Sequence, residues 1–328
     1  MITLLMGGFT ACNSDQDVFG PDADTPSGPS NPSDPSTPVS YYRPKTSESK
    51  ATFDQVYQYM PAPGQFINEL KTGGFNSTHT TQAAANLYAK ERLDKGIWVS
   101  LGGFGGYIVV GFDHSIDNVP GYDFAIKGNS FKGSSEPGIV WVMRDENGDG
   151  QPNDTWYELK GCGSEDKSAI QNYEVTYYRP ESAGSPVRWS DNLGKTGEID
   201  YLKAYHNQES YYPRWITSDS YTLKGTFLKP KNYDKSGNGT YWVQDEYDWG
   251  YADNFSAVDL YSSNDSELKG CNLFDISNAV DSNGTAVELT FVDFIKVQTA
   301  CNTKSGWLGE NSTEVFGFYD YTMINSAN

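Results

Sequence analysis

Histidine is nearly absent from this chain. His79, His114 and His206 are the three present. They are scattered, with no His-Glu-x-x-His or His-x-His spacing, which argues against zinc catalysis. No Gly-x-Ser-x-Gly occurs, and the cysteines sit in no nucleophile signature. Cations are also few: 24 lysines and arginines stand against 43 aspartates and glutamates, a net charge of −19. So acidic a chain is repelled by phosphate backbones, so no nucleic acid is expected as a partner. No apolar run is long enough to span a bilayer, and no repeat of roughly 20–50 residues is visible, which disfavours a propeller or solenoid. These absences leave a protein that is not an enzyme as the expectation. Asp123 and the Asp245-Glu246 pair stay open as carboxylates for glycoside hydrolysis, as any acidic residue does.

Cysteine is sparse too: Cys12, Cys162, Cys271 and Cys301. Cys12 has its own explanation below. The other three admit at most one internal disulfide. Cys271–Cys301 is the favoured pairing, since both flank the late strands, and three buried free thiols fit equally well.

The 328 residues suffice for one large β domain or two smaller ones. Residues 1 to 12 read as an export signal. Met1 to Ala11 form a short apolar run ending in small residues, the shape of a signal-peptide core and cleavage site. Phe9-Thr10-Ala11-Cys12 resembles a bacterial lipobox, in which Cys12 is lipidated. Phe9 stands where Leu or Val is usual, and no basic segment precedes the run. Asn13-Ser14-Asp15-Gln16-Asp17 then looks like the acidic surface-export signal of lipoproteins in Bacteroidota. Asn13 to Ser40 hold six prolines and five aspartates, with no lysine or arginine. Such a stretch buries no apolar area, so residues 13–45 are expected to form a disordered tether holding residues 46–328 off the outer membrane. The expected location is therefore the cell surface, through a lipid anchor.

Thr80 to Asp94 is the best helical stretch, with Ala83, Leu87 and Tyr88 on one face, a Thr cap before it and Gly96 after it. From Ile97 the pattern turns to strands: Trp98–Leu101, Tyr107–Phe112, Tyr122–Lys127, Ile139–Met143, Trp156–Leu159 and Tyr173–Tyr178. Leu101 to Gly106 precedes a strand and opens no helix, so it reads as a tight turn or bulge and not as a phosphate loop. Arg179 to Gly250 is less regular, with Ser220–Phe227 as its strand. Later strands are expected at Val258–Tyr261, Ala286–Thr290, Phe294–Thr299 and Val315–Ile324, with a helical turn at Leu273–Ala279. The whole predicts an all-β, antiparallel sandwich of jelly-roll type with one N-terminal helix.

Asp145-x-Asn147-x-Asp149-Gly150 alternates oxygen ligands and ends on a turn glycine, the first half of an EF-hand-type loop. Gln151 offers its carbonyl, and Asn153 or Asp154 completes the shell. Trp156 holds the position where an EF-hand has glutamate, and the flanks are strands. The expectation is a structural calcium clip on Asp145, Asn147, Asp149, Gln151 and Asp154, with a plain polar hairpin as the alternative. The aromatic density between Tyr211 and Tyr251 suggests binding: Tyr211, Tyr212, Trp215, Trp242, Trp249 and Tyr251 are candidates for a flat platform under sugar faces or a large planar ligand.

One more signal lies in the central stretch. Its carriers are Gly105-Gly106-Tyr107-Ile108-Val109-Val110-Gly111-Phe112-Asp113, Gly121-Tyr122-Asp123-Phe124, Gly128-Asn129-Ser130-Phe131 and Ser135-Glu136-Pro137-Gly138-Ile139-Val140-Trp141-Val142. The Asp145–Gly150 loop and Asp154-Thr155-Trp156-Tyr157-Glu158-Leu159 complete it. This pattern resembles a family of cell-surface lipoproteins common in Bacteroidota, and the similarity covers Ala51 to Ile324. Cys162 departs from it, standing where an uninterrupted Gly-Ser-Glu would follow Gly161. The resemblance implies a β-sandwich. It also implies a link, for some members, to corrinoid (cobalamin) uptake, with a surface binder feeding an outer-membrane TonB-dependent transporter. It assigns no ligand residues.

Overall fold

Strand Tyr107–Asp117 is apolar on both faces, and the sheet is built around it. The computed structural model describes residues 41–165, 168–263 and 267–326. In a strand, side chains alternate between faces. Ile108, Val110 and Phe112 therefore enter the main core, while Val109 packs with Met143 and Phe294 on the other side. Six strands pair in the order Gln55–Met60, Tyr107–Asp117, Phe291–Thr299, Gly138–Met143, Trp156–Leu159, Ala279–Val280. Every pairing is antiparallel. The register aligns branched side chains in rows: Ile295 is opposite both Val110 and Val142, and Val297 is opposite both Ile108 and Val140.

The facing layer is a three-stranded sheet, Cys271–Phe274, Phe124–Lys127 and Gly317–Asp320, beside the short pair Val99–Ser100 and Glu314–Val315. Phe124 stacks on its cross-strand partner Phe274 with ring centroids 5.3 Å apart. Burying each such ring contributes about 1.5–3 kcal/mol. Four successive strands alternate between layers, 99–100, 107–117, 124–127 and 138–143, and 291–299 lies in the sheet opposite 271–274 and 317–320. That alternation is the jelly-roll pattern, and the fold is the all-β antiparallel sandwich expected. Between the two halves, Ser220–Leu228, Ala169–Tyr178, Val187–Asp191 and Thr196–Ile199 form a further four-stranded antiparallel sheet in that order. Among the described residues no helix is long and apolar enough to cross a membrane.

Helix Gln82–Leu93 starts at Thr81, whose Oγ1 accepts from Ala84 N. Its buried face is Ala85, Ala89 and Leu93, and Leu87 is 58 % exposed. The expected face of Ala83, Leu87 and Tyr88 is thus rotated. The alanines bring the helix close enough to serve the edge strand Gln55–Met60. Asn86 Oδ1 accepts from Tyr59 N and its Nδ2 donates to Tyr57 O, at 2.9 and 2.7 Å. Side-chain amides there take the place of a missing neighbour strand.

Other expectations shift. Val258–Tyr261 and Ala286–Thr290 make only isolated bridges, Leu260–Asn272 and Val280–Ala286. The Leu273–Ala279 turn begins as a strand, and only Ile276–Asn278 is 3-10 helix. Val315–Ile324 breaks into two strands and helix Tyr321–Ser326. Cys162, Cys271 and Cys301 are free. Cys271 and Cys301 belong to different core clusters, so the favoured disulfide does not form. The tether's last residues are part of the fold: Arg43 Nη1 donates to Phe112 O and Nη2 pairs with Asp293, while Tyr42 meets Phe291 edge-on. The Leu101–Gly106 turn is as expected, with Gly102 at φ +71° and Gly105 at φ +81°.

Candidate functional site

A cleft of about 960 Å³ lies on the four-stranded sheet. Its near wall is the hairpin Val187–Asp191/Thr196–Ile199, where Trp189 pairs with Gly197 and Arg188 with Glu198. Residues directly opposite share a face. The half-buried indole of Trp189 lies flat on Gly197, and a methyl group there would sit 2.4 Å from Trp189 Cζ2. The floor is Gly103-Phe104, held by the two positive-φ glycines around it. Tyr177 donates to Phe104 O at 2.9 Å, and the Phe104 ring meets Tyr173 edge-on at 4.8 Å.

The far wall is the segment from Asn302 to Glu310. Asn302 Nδ2 donates to the Tyr173 hydroxyl, which donates to Asp191 Oδ2, tying the wall to the hairpin's turn. Lys304 pairs with Asp200 at 2.6 Å. Glu310 is 5 % exposed; its Oε1 accepts from Gln65 N and its Oε2 has no partner. Burial pushes its carboxyl up to about 8. At neutral pH it is therefore chiefly a protonated acid, able to donate a hydrogen bond. The cleft thus offers the indole of Trp189, two cations that carry acidic partners (Arg188 with Glu181, Lys304 with Asp200), the carboxylate of Glu198 and neutral hydrogen-bonding groups. Its size falls in the range of small-molecule sites, roughly 300–1,000 Å³.

A second concave region, two clefts of about 280 and 300 Å³ sharing Trp156, Lys224 and Lys296, lies on the outer face of the six-stranded sheet. The Lys296 ammonium is 4.5 Å from the Trp141 ring centroid and 4.8 Å from that of Trp156. Burial lowers its pKa to about 8, while the Glu158 charge opposes that. Burial raises Glu158 in turn to about 7, against the hydrogen bond from Thr226 Oγ1.

The expected aromatic platform does not assemble. Tyr211, Tyr212 and Tyr251 are at most 2 % exposed, and Trp215 is 7 % exposed. They are core residues, divided among three clusters. Trp215 packs edge-on against Phe75 at 4.3 Å, and Tyr251 against Tyr247 at 5.1 Å. Trp242 is half-buried over Gly306, and half-buried Trp249 lines a separate cleft of about 270 Å³. None of the six lines the large cleft. Its residues Trp189 and Glu198 went unnoticed in the sequence. The available signal was the alternation Val187-Arg188-Trp189 before an Asp191–Lys195 turn.

The Asp145–Asp154 loop turns its oxygens onto its own backbone. Asp145 accepts from Gly148 N and Gly150 N at 2.7 and 3.0 Å. Asn147 accepts from Asp149 N, and Asp149 from Gln151 N. Asp154 accepts from Glu146 N. Gly148 and Gly150 both have positive φ, as the sharp turn requires. Among the described residues, the one group of three carboxylates that converges within 4.8 Å lies elsewhere, at Glu136, Asp253 and Glu314. Cys12 and the lipobox lie outside the described residues. No protein-family model matches the chain, and no curated protein matches it.

Proposed function

We propose that this chain is a binding protein, not an enzyme, carried on the outer surface of the cell by a lipid on Cys12. In this reading it captures a corrinoid such as cobalamin for hand-over to an outer-membrane TonB-dependent transporter. The observation that carries the ligand reading is the 960 Å³ cleft with its mixed lining. A corrinoid has a flat, largely apolar macrocycle, a rim of amides and an anionic phosphodiester. The half-buried Trp189 suits the macrocycle. Asn302 suits the amides, and Arg188 and Lys304 suit the phosphate. The likeness of Gly105–Leu159 to surface lipoproteins supports the same reading.

The half-buried Trp189 and the 39 % exposed Tyr178 would also suit the face of a sugar, so a glycan-binding surface lipoprotein is the competing reading. The test is calorimetric titration of the full chain with cyanocobalamin and, in parallel, with a panel of oligosaccharides. The corrinoid reading expects micromolar or tighter binding. Affinity weaker than about 1 mM, or about −4 kcal/mol, refutes it. Binding of an oligosaccharide instead transfers the cleft to the competing reading.

A further inference from the structure

Three carboxylates converge in the sandwich with no cation built in beside them. Glu136 lies just before strand Gly138–Met143, Asp253 follows the buried Tyr251-Ala252, and Glu314 opens strand Glu314–Val315. Each offers one oxygen, and the three oxygens lie within 4.8 Å of one another. Asp253 is 0 % and Glu314 4 % exposed. Among the described residues, no lysine, arginine or histidine forms an ion pair with any of them. Buried like charges at this spacing repel strongly unless they take up protons or a compensating cation.

A second observation concerns the oxygens left without a partner at the same place. Asn311, 3 % exposed, donates through Nδ2 to Glu136 Oε1 at 3.4 Å, yet its Oδ1 has no hydrogen-bond partner. The Asn311 amide therefore touches the carboxylate group through Glu136 and keeps one buried oxygen unsatisfied. Glu314 Oε1 and Ser130 Oγ are likewise buried and unpartnered. Ser130 is adjacent to Asn129, whose N–H bonds Asp253 Oδ1 at 2.8 Å. Native interiors rarely leave such atoms unsatisfied, and a bound ion or water is a common reason. The rest of the shell is firm: Asp253 Oδ2 accepts from Glu314 N at 2.9 Å, and Glu136 Oε1 also accepts from Gln244 Nε2 and Ser312 N.

We propose that Glu136, Asp253 and Glu314, with Asn311 Oδ1, form a buried calcium site that pins the 302–314 segment to the head of strand Gly138–Met143. The donors are all hard oxygens, three of them from carboxyl groups that become anionic when a cation displaces their protons. Two calcium–oxygen bonds of about 2.4 Å span the observed spread. Zinc sites draw on sulfur or imidazole, which this group lacks. The site is distinct from the Asp145–Asp154 loop, and it stands whatever the large cleft binds. It bears on that cleft all the same, because the far wall ending at Glu310 continues directly into Asn311 and Glu314.

The test uses the full chain, stripped with EDTA and then titrated with calcium chloride or magnesium chloride, with melting temperature and bound metal both measured. Calcium is expected to bind and raise the melting temperature by a few degrees. Glu314→Gln should weaken calcium binding at least about 10-fold, and Asp149→Asn, in the surface loop, should leave this binding intact. Glu136→Gln, at the most exposed of the three, provides a second variant should Glu314→Gln fold poorly. Calcium affinity unchanged in both glutamate variants, or lost only in Asp149→Asn, overturns the proposal. So does a wild-type protein that takes up no calcium and melts at the same temperature with and without it.

Discussion

Gly197→Ala should empty the large cleft of its aromatic face without unfolding the protein. Gly197 has no positive φ, so its strand backbone accepts an alanine. The new methyl would lie 2.4, 2.7 and 3.1 Å from three atoms of the Trp189 indole. Carbon atoms pack best at about 3.5–4.0 Å, so the ring must move by about 1 Å or more. Overpacking of this kind costs about 1–3 kcal/mol, and removing glycine's unfolded-state freedom returns about 0.4–1 kcal/mol. Thr196–Ile199 is the edge strand of its sheet, so the indole has room to swing outward and the net loss should be at the low end, a few degrees of melting temperature. Binding should suffer more. A tryptophan anchor in an interface is commonly worth about 2 kcal/mol, which is roughly a 30-fold change in Kd. The assay is titration of cyanocobalamin into wild type, Gly197→Ala and Trp189→Ala, with tryptophan emission recording the displaced ring. If emission reports a moved indole while both variants bind within about threefold of wild type, the cleft is not the binding site.

Two further predictions concern buried titrating groups. Glu158 is lifted by burial to about 7, above its unfolded value of about 4.3, so the native state holds the proton more tightly. The stability this gives is full below about pH 4 and is lost as pH rises through 7. Its span is on the order of 3 kcal/mol. Glu158→Gln should flatten the fall in melting temperature between about pH 5 and 8, and an unchanged slope by calorimetry would sink the assignment. Burial likewise pushes the thiols of Cys271 and Cys301 up to about 12, and both are free. A colorimetric thiol reagent should therefore reach half-buried Cys162 first and the other two only on unfolding. Reductant should leave the melting temperature unchanged, whereas a drop would reveal a disulfide after all.

The sandwich is legible in the sequence because its strands carry a local signature. Trp156–Leu159 is found with the boundaries the sequence suggests, and Gly138–Met143 differs by one residue. Branched and aromatic runs between turn glycines suffice for such elements. Pairing is less legible. Val258–Tyr261 and Ala286–Thr290 have strand-like composition but meet the sheets at single bridges, and composition says nothing about whether a partner edge is free. Leu273 shows the reverse case. Its neighbours look like the start of a helical turn, yet cross-strand pairing with Ala125 fixes it as strand. The carboxylate group is beyond sequence reasoning of this kind, since Glu136, Asp253 and Glu314 meet only through the fold.

The aromatic segment 211–251 misleads for a physical reason. An irregular backbone leaves carbonyls without sheet partners, and burying them unpaired is costly. Tyrosine solves both problems, because its ring fills volume and its hydroxyl reaches out to donate. Tyr211 donates to His206 O, Tyr212 to Ser218 O, Tyr221 to Pro61 O and Tyr247 to Lys229 O. Each is a pillar under a loop. Dense tyrosines in sequence lacking strand periodicity therefore signal an interior that must satisfy its own backbone before they signal a ligand face. Trp189, the ring on which the proposed cleft relies, sits instead in a regular hairpin opposite a glycine. There the backbone is already paired, and the ring is free to be offered to something else.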